Sequence, residues 1–401
     1  MSESLRPYLE DCSGRVSSDT TLPIYSSTRE GLKRQDAYFD GRVLQNKSEY
    51  GAVPPGCFVY RHMSDDGQFK FNINQTGGDI AVSKEYPVFR AKGLNPVFLL
   101  AKLNDGVDFK EFAFSQKAGG TRTRLYFSRL SEWETLLPSP AEQQKIADCL
   151  SSLDELIAAQ VRKVETLKTH KKGLMQQLFP REGKTQPRLR FPEFQNAGEW
   201  GEKNFSDLCD IKHGYAFQSE FFSNEGNFVL LTPGNFYEQG GYRDRGEQQK
   251  YYCGEIPRDY VLAKGDMLVA MTEQAAGLLG SPLLVPQPEK FLHNQRLGLV
   301  VKKPGVMWAN EFFFYVFNTQ RVRKAIHDTA SGAKVRHTSP TKIGEVAISV
   351  PTSLPEQQCI ASCLSSFDAL ITAATQELET FKTHKKGLMQ QLFPSAEATE
   401  A

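Results

Sequence analysis

Two sets of polar side chains, carried on Gly- and Pro-bounded connections, have the groups that pair with nucleobase edges. In 1–137 they are Arg61, Gln68, Lys70, Asn72, Asn74 and Gln75; in 181–351 they are Asn235, Tyr242, Arg243, Arg245, Gln274 and Arg296. Guanidinium and ammonium groups reach guanine acceptors, carboxamides reach adenine, and glycines let the backbone approach phosphate. A basic cluster closes each region: Lys117, Arg122 and Arg124 with Gly119 and Gly120, then Lys334, Arg336 and His337 with Gly332. Their corresponding places suit phosphate positioning. An ordinary exposed loop side chain is the competing reading of each residue taken alone.

Other chemistry finds little support. The seven cysteines have no C-x-x-C spacing, which argues against a disulfide framework and a zinc site. Cys149 and Cys363 fall beside apolar residues and read as small buried hydrophobes. The seven histidines are scattered, and His170 and His384 follow helix periodicity. There is no G-x-x-x-x-G-K-[ST] loop. The one Pro-Pro, Val53-Pro54-Pro55-Gly56, lacks the flanks of an amino-methyltransferase motif. Neither catalysis nor a metal or cofactor is expected on this chain.

The elements that must position these groups announce themselves by repetition. Residues 142–180 (EQQKIADCLSSLDELIAAQVRKVETLKTHKKGLMQQLFP) return at 356–394 (EQQCIASCLSSFDALITAATQELETFKTHKKGLMQQLFP), ungapped and displaced by 214 positions. Each copy opens with a Ser-x-x-Glu helix start, at Ser139–Glu142 and Ser353–Glu356. The apolar spacing then alternates four and three. The first copy runs Ile146, Leu150, Leu153, Ile157, Gln160, Val164, Leu167, Lys171, Leu174, Leu178; the second runs Ile360, Leu364, Phe367, Ile371, Ala374, Leu378, Phe381, Lys385, Leu388, Leu392. A mean step near 3.5 is a coiled-coil seam, so the two helices are predicted to pair, with the shared interruptions fixing register. Either Gly173 and Gly387 end these helices or they continue to Pro180 and Pro394, giving a rod ~45–55 Å long. The Lys-Thr-His-Lys-Lys runs at 168 and 382 suit helix C-termini or phosphate contact. Lys172, Gln176 and Gln177 recur on the outward face as Lys386, Gln390 and Gln391, and the seam-edge Lys171 recurs as Lys385. A pairing seam does not explain identity on an outward face, so these eight are predicted to bind one kind of partner twice.

The flanking regions, 1–137 and 181–351, look unlike each other. Both read as α+β with short strands: 53–61 and 78–91 in the first, 260–272 and 295–305 in the second. Residues 310–328 read as one helix with a buried Phe face, and 236–252 as a polar loop. The expected architecture is two globular domains separated by two long helices packed as an antiparallel coiled coil, in the order 1–137, 138–180, 181–351, 352–394, then a tail at 395–401. Composition is ordinary, with 40% hydrophobic and 24% charged residues. No apolar run is long enough for a membrane span and the N-terminus is not a signal peptide, so no membrane partner and a cytoplasmic location are expected. The net charge of +1 supplies no basic excess.

This order, with the Glu-Gln-Gln helix entries after Pro140 and Pro355, the KKGLMQQLFP endings and the RLRFPEF stretch at 188–194, resembles the specificity subunit of type I restriction–modification systems along the whole chain. The resemblance implies that each variable domain reads one half of a split double-stranded DNA target, with the two helices as an antiparallel spacer. It implies two docked modification subunits that bind S-adenosylmethionine and methylate adenine. It also implies restriction subunits that use ATP, and no chemistry on the specificity chain. The first half, opening LRPYLEDCSGRV, lacks a counterpart to RLRFPEFQNAGEW, from which either a shortened first domain or a trimmed chain is expected. The rival reading is a protein–protein scaffold with a two-helix stalk, two adhesive heads and no DNA.

Overall fold

The computed structural model describes residues 2–39, 49–117, 122–332 and 335–393. They form two compact units, Met1–Arg162 with Thr375–Ala401, and Lys163–Ala374. Each unit therefore combines one α+β domain with half of each long helix, so packing cuts both helices where chain order would keep them whole.

In the first unit a four-stranded antiparallel sheet runs in the order Leu9–Asp11, Val88–Ala91, Phe58–Tyr60, Phe71–Ile73. A three-stranded sheet joins Ile80–Ser83, Glu49–Val53 and Gly14–Ser17. Aromatic rings from the alternating inward positions fill the core: Phe58 stacks on Phe89, and Tyr60 lies on Phe71. The stretch 53–61, read as one strand, is broken by a turn at Pro54–Cys57. Gly56 sits there at φ +77°, and Gly265 takes the same role at φ +86° before Met267–Ala270.

The second unit holds a sheet in the order Cys209–His213, Leu297–Lys302, Met267–Ala270, Pro282–Leu284. A second sheet of short strands includes one parallel pair, Phe228–Leu230 with Phe291–Leu292. The helix expected over 310–328 is two, Asn310–Phe317 and Gln320–Asp328. Thr319 breaks it by accepting the Val322 N–H as an N-cap. Both units fasten their first strand to the strand before a long helix, Ser2–Ser4 on Glu134–Leu136 and Gly201–Asn204 on Ala347–Val350.

The long helices are Pro140–Leu178 and Leu354–Leu392, each 39 residues. Gly173 and Gly387 lie inside them; with tertiary packing on one face, a single glycine costs only about 1 kcal/mol and does not end a helix. Every predicted seam position is buried or half-buried. In the first unit the helices pair antiparallel: Leu150 shares a cluster with Met389 and Phe393, Gln160 donates to Glu377 (2.8 Å), and Lys385 meets Asp154 (2.5 Å). In the second, His170 lies edge-on to Phe367, Lys171 bonds Asp368 (2.5 Å), and Leu178 packs with Ile360 and Leu364. The polar interruptions thus meet defined partners.

Two local expectations change. Cys149 is exposed and Cys363 half-buried, because their positions fall off the seam. Ser139 caps the Glu142 N–H (3.3 Å), but the matching Glu356 does not serve its own helix start. Its carboxylate accepts two bonds from Arg190 (2.7 and 2.8 Å) and one from the Trp200 indole N–H (3.1 Å). The RLRFPEFQNAGEW stretch is therefore anchored on the second helix.

Candidate nucleic-acid interface

In the first unit a two-rung ladder joins Met63–Ser64 to Thr123–Arg124, and the Leu125 N–H extends it to the His62 carbonyl (2.9 Å). This pairing brings Arg122 and Arg124, remote in sequence, to the 63–65 stretch between Arg61 and Gln68. Two carboxylates organise the surface. Asp66 accepts from Ser64 Oγ (2.7 Å), from the Gln68 N–H (3.1 Å) and from Arg29 (2.6 and 2.7 Å). The serine bond foremost, then the Arg29 bond, holds its carboxyl down at about 2. Asp65 receives Arg122 Nε at 2.8 Å. Arg61, Gln68 and Lys70 line a cleft of about 450 Å³ with Arg29, Tyr38 and Tyr86.

Two amides leave the candidate set. Asn72 is buried and donates to Ser27 Oγ (2.8 Å) and the Thr28 carbonyl (3.1 Å). Asn74 is buried and donates to the Val53 and Gly78 carbonyls (2.7 and 2.8 Å) while accepting the Thr76 N–H. Both are occupied in building the turns that carry their neighbours, and buried amides so engaged have nothing left for a base. Gln75 and Lys117 are exposed. Gly119 and Gly120 lie outside the described residues.

The second unit repeats the frame with other groups. Thr272 bridges His337, with Thr272 Oγ1 3.1 Å from His337 Nδ1, and the Glu273 N–H donates to the Arg336 carbonyl (2.9 Å). The Met271 N–H donates to the Arg296 carbonyl and the Thr338 N–H to that of Met271, each at 3.0 Å. Gln274, Arg296, Arg336 and His337 are thereby gathered, all exposed. Arg336 also reaches the His327 imidazole (2.8 Å). Lys334 lies outside the described residues.

The remaining candidates sit on the 233–249 segment, tied to the same region by Ser281 Oγ donating to the Tyr237 carbonyl (2.6 Å). Asn235 leaves the set. It is buried, accepts from Thr232 (3.0 and 3.1 Å) and donates to Gln249 (3.0 Å), which makes it the pin of the segment. Tyr242 is half core: its ring meets Phe291 edge-on, and burial pushes its hydroxyl up to about 12, with Asp244 adding to the shift. Arg243 is exposed, and Arg245 lies over Gly234 while bonding Gln248 (3.3 Å). Sequence reasoning missed Arg29, Asp65 and Asp66. The Arg29-Glu30-Gly31 turn between Tyr25–Thr28 and Gly31–Arg34 was a readable hairpin signal; its approach to residue 66 was not.

The pattern of the type I restriction modification DNA specificity domain matches residues 64–169 and 197–380, well over half of the chain. The chain belongs to this specificity family. It is 25% identical over 260 residues to the type I restriction enzyme MjaVIII specificity subunit of Methanocaldococcus jannaschii, covering 64% of this chain and 60% of that one. The type I restriction enzyme EcoBI specificity subunit of Escherichia coli is 25% identical over 199 residues, covering 49% of this chain and 38% of that one. The alignments thus span less than two thirds of these two relatives. In fold, the chain is similar to the crystal structure of a type I restriction–modification S subunit from M. genitalium, with TM-score 0.59, 14% identity, and 98% and 96% of the two chains covered.

On this specificity chain the eight partner-face residues divide. Lys171 and Lys385 sit at the seam edge, where their spacing puts them, each with its ammonium on an aspartate of the other long helix and so not on the outward partner face. Their identity follows from helix pairing. Lys172, Gln176 and Gln177, and likewise Lys386, Gln390 and Gln391, are exposed. Among the described residues no helix is long and apolar enough to cross a membrane.

Proposed function

We propose that this specificity chain reads a split double-stranded DNA target, one half per recognition unit, and directs adenine methylation and restriction by subunits docked on it. The observation that carries this reading is one frame bearing two sets of letters. A short ladder joins the central sheet strand's exit to the basic cluster in each unit, yet it presents Arg61, Gln68, Arg122 and Arg124 in one and Gln274, Arg296 and Arg336 in the other. A shared scaffold with different base-edge chemistry is what two different half-targets require.

Two modification subunits would take the exposed Lys172, Gln176, Gln177 face and its second copy. S-adenosylmethionine and ATP would be bound by partner subunits, in the cytoplasm. The test is to map methylated adenine across a genome with and without this gene. Methylation at two short sequences flanking a fixed unread stretch, lost on deletion, is expected. An unchanged methylation map overturns the reading.

A further inference from the structure

We infer that Gln143 and Gln357 are positioning residues that lock each recognition domain onto its own helix stem, and so determine how strictly the spacing between half-targets is measured. This rests on the split-target reading above. Gln143 is 3% exposed; its Oε1 accepts the Asn95 N–H (3.0 Å) and its Nε2 donates to the Pro138 carbonyl (2.9 Å). Gln357 is 1% exposed; its Oε1 accepts the Ala309 N–H (2.9 Å) and its Nε2 donates to the Met307 and Pro351 carbonyls, each at 3.1 Å.

The two clamps are equivalent on their acceptor side. Gln143 and Gln357 occupy the same repeat position, and their targets, Asn95 and Ala309, are displaced by the same 214 positions although the domains around them differ in sequence. Each target is the N-cap of a domain helix, Pro96–Asp105 or Asn310–Phe317. A long-helix side chain therefore supplies an acceptor that a domain helix's first turn lacks. The ring contacts beside the clamps, Phe98 with Phe393 and Phe312 with Phe179, both at 5.6 Å, are equivalent too.

These two kinds of contact do different work. Apolar contact is non-directional and permits a domain to rock on its stem. A carboxamide held from both ends fixes an angle, because its bonds weaken steeply off line. One base pair of spacer is about 3.4 Å of duplex axis, so modest rocking is enough to admit a half-target one step nearer or farther.

The test uses the full chain assembled with its methylating partner in cells. It carries Gln143→Met and Gln357→Met, singly and together, against a plasmid library with the native half-targets and spacers one base pair shorter, native or longer. Adenine methylation is read by sequencing. Each substitution is expected to leave the bases of both half-targets unchanged and to reduce discrimination against the wrong spacers about tenfold or more, as loss of two hydrogen bonds at Gln143 and three at Gln357 implies. Gln143→Glu keeps the acceptor for Asn95 but sets an acceptor against the Pro138 carbonyl, so it holds one end only and is expected to be about as permissive of wrong spacers as Gln143→Met. Wild-type spacer strictness in an assembled single variant overturns the inference, as does a change in the bases read. Failure of both Gln143→Met and Gln357→Met to assemble also overturns it, since the residues would then be folding requirements. A wild-type assembly that methylates no split target would sink the parent reading instead.

Discussion

A buried amide and a reading amide are the same letter in a sequence. Asn72, Asn74 and Asn235 have the chemistry for adenine, but each spends it on a hydroxyl, a carbonyl or an amide oxygen elsewhere in its own unit. Gln68, Gln75 and Gln274 remain exposed. The contrast predicts separable phenotypes. Gln274→Ala should lower methylation at one half-target by about ten- to a hundredfold, with unfolding unchanged, given about 1–3 kcal/mol for a good base contact. Asn74→Ala should instead cost about 1–3 kcal/mol of stability in denaturant unfolding, because buried partners lose their bonds. Asp66 offers a pH prediction. Its folded carboxyl lies at about 2, below the ordinary aspartate value of 3.8. Its stabilising effect is therefore complete above the unfolded value and lost as pH falls through about 2. Carboxyl-carbon NMR should show its titration near 2, and Ser64→Ala should raise the midpoint more than Arg29→Ala.

At the scale of elements, the two copies of the long helix are alike in sequence and unlike in environment. Lys171 and Lys385 each pair with an aspartate, but only Asp368 also accepts from a tyrosine, Tyr315 at 2.7 Å, and Lys171 lies over that ring. The helix-start glutamates diverge further. Glu356 is fully buried under Arg190 and Trp200, whereas Glu142 is exposed. Glu356→Ala leaves a guanidinium without its partner and should cost about 3 kcal/mol. Glu142→Ala should stay within about 0.5 kcal/mol. Paired denaturant titrations of the two variants would show whether the repeat's equivalence ends here.

For the whole molecule, the prediction concerns length. One heptad inserted at matching positions of both long helices keeps the seam in register and adds about 10 Å of helix. The unread stretch of the DNA target should then lengthen by about three base pairs, with the half-targets unchanged, as read by methylation mapping. An unchanged spacer would mean that these helices do not measure distance. The net charge of +1 bears on affinity at the same scale. Phosphate neutralisation supplies most non-specific DNA affinity, so tight binding is expected only when partner subunits add their charge to the complex.

The repeat, the two helices, their seam and the family were legible because each rests on periodicity or local order, and a side chain's position along a helix follows from its index alone. The Glu-Gln-Gln entry was legible as a signature; that its first glutamine clamps Asn95 or Ala309 was not. The cross-strand ladders joining residues 63–64 to 123–124, and 272–273 to 336–337, were likewise invisible. Such contacts join positions about fifty residues or more apart, and no local spacing encodes them. Tertiary structure alone decided which amides face solvent and which aspartates receive the seam lysines, because burial depends on what the rest of the chain brings to the same place.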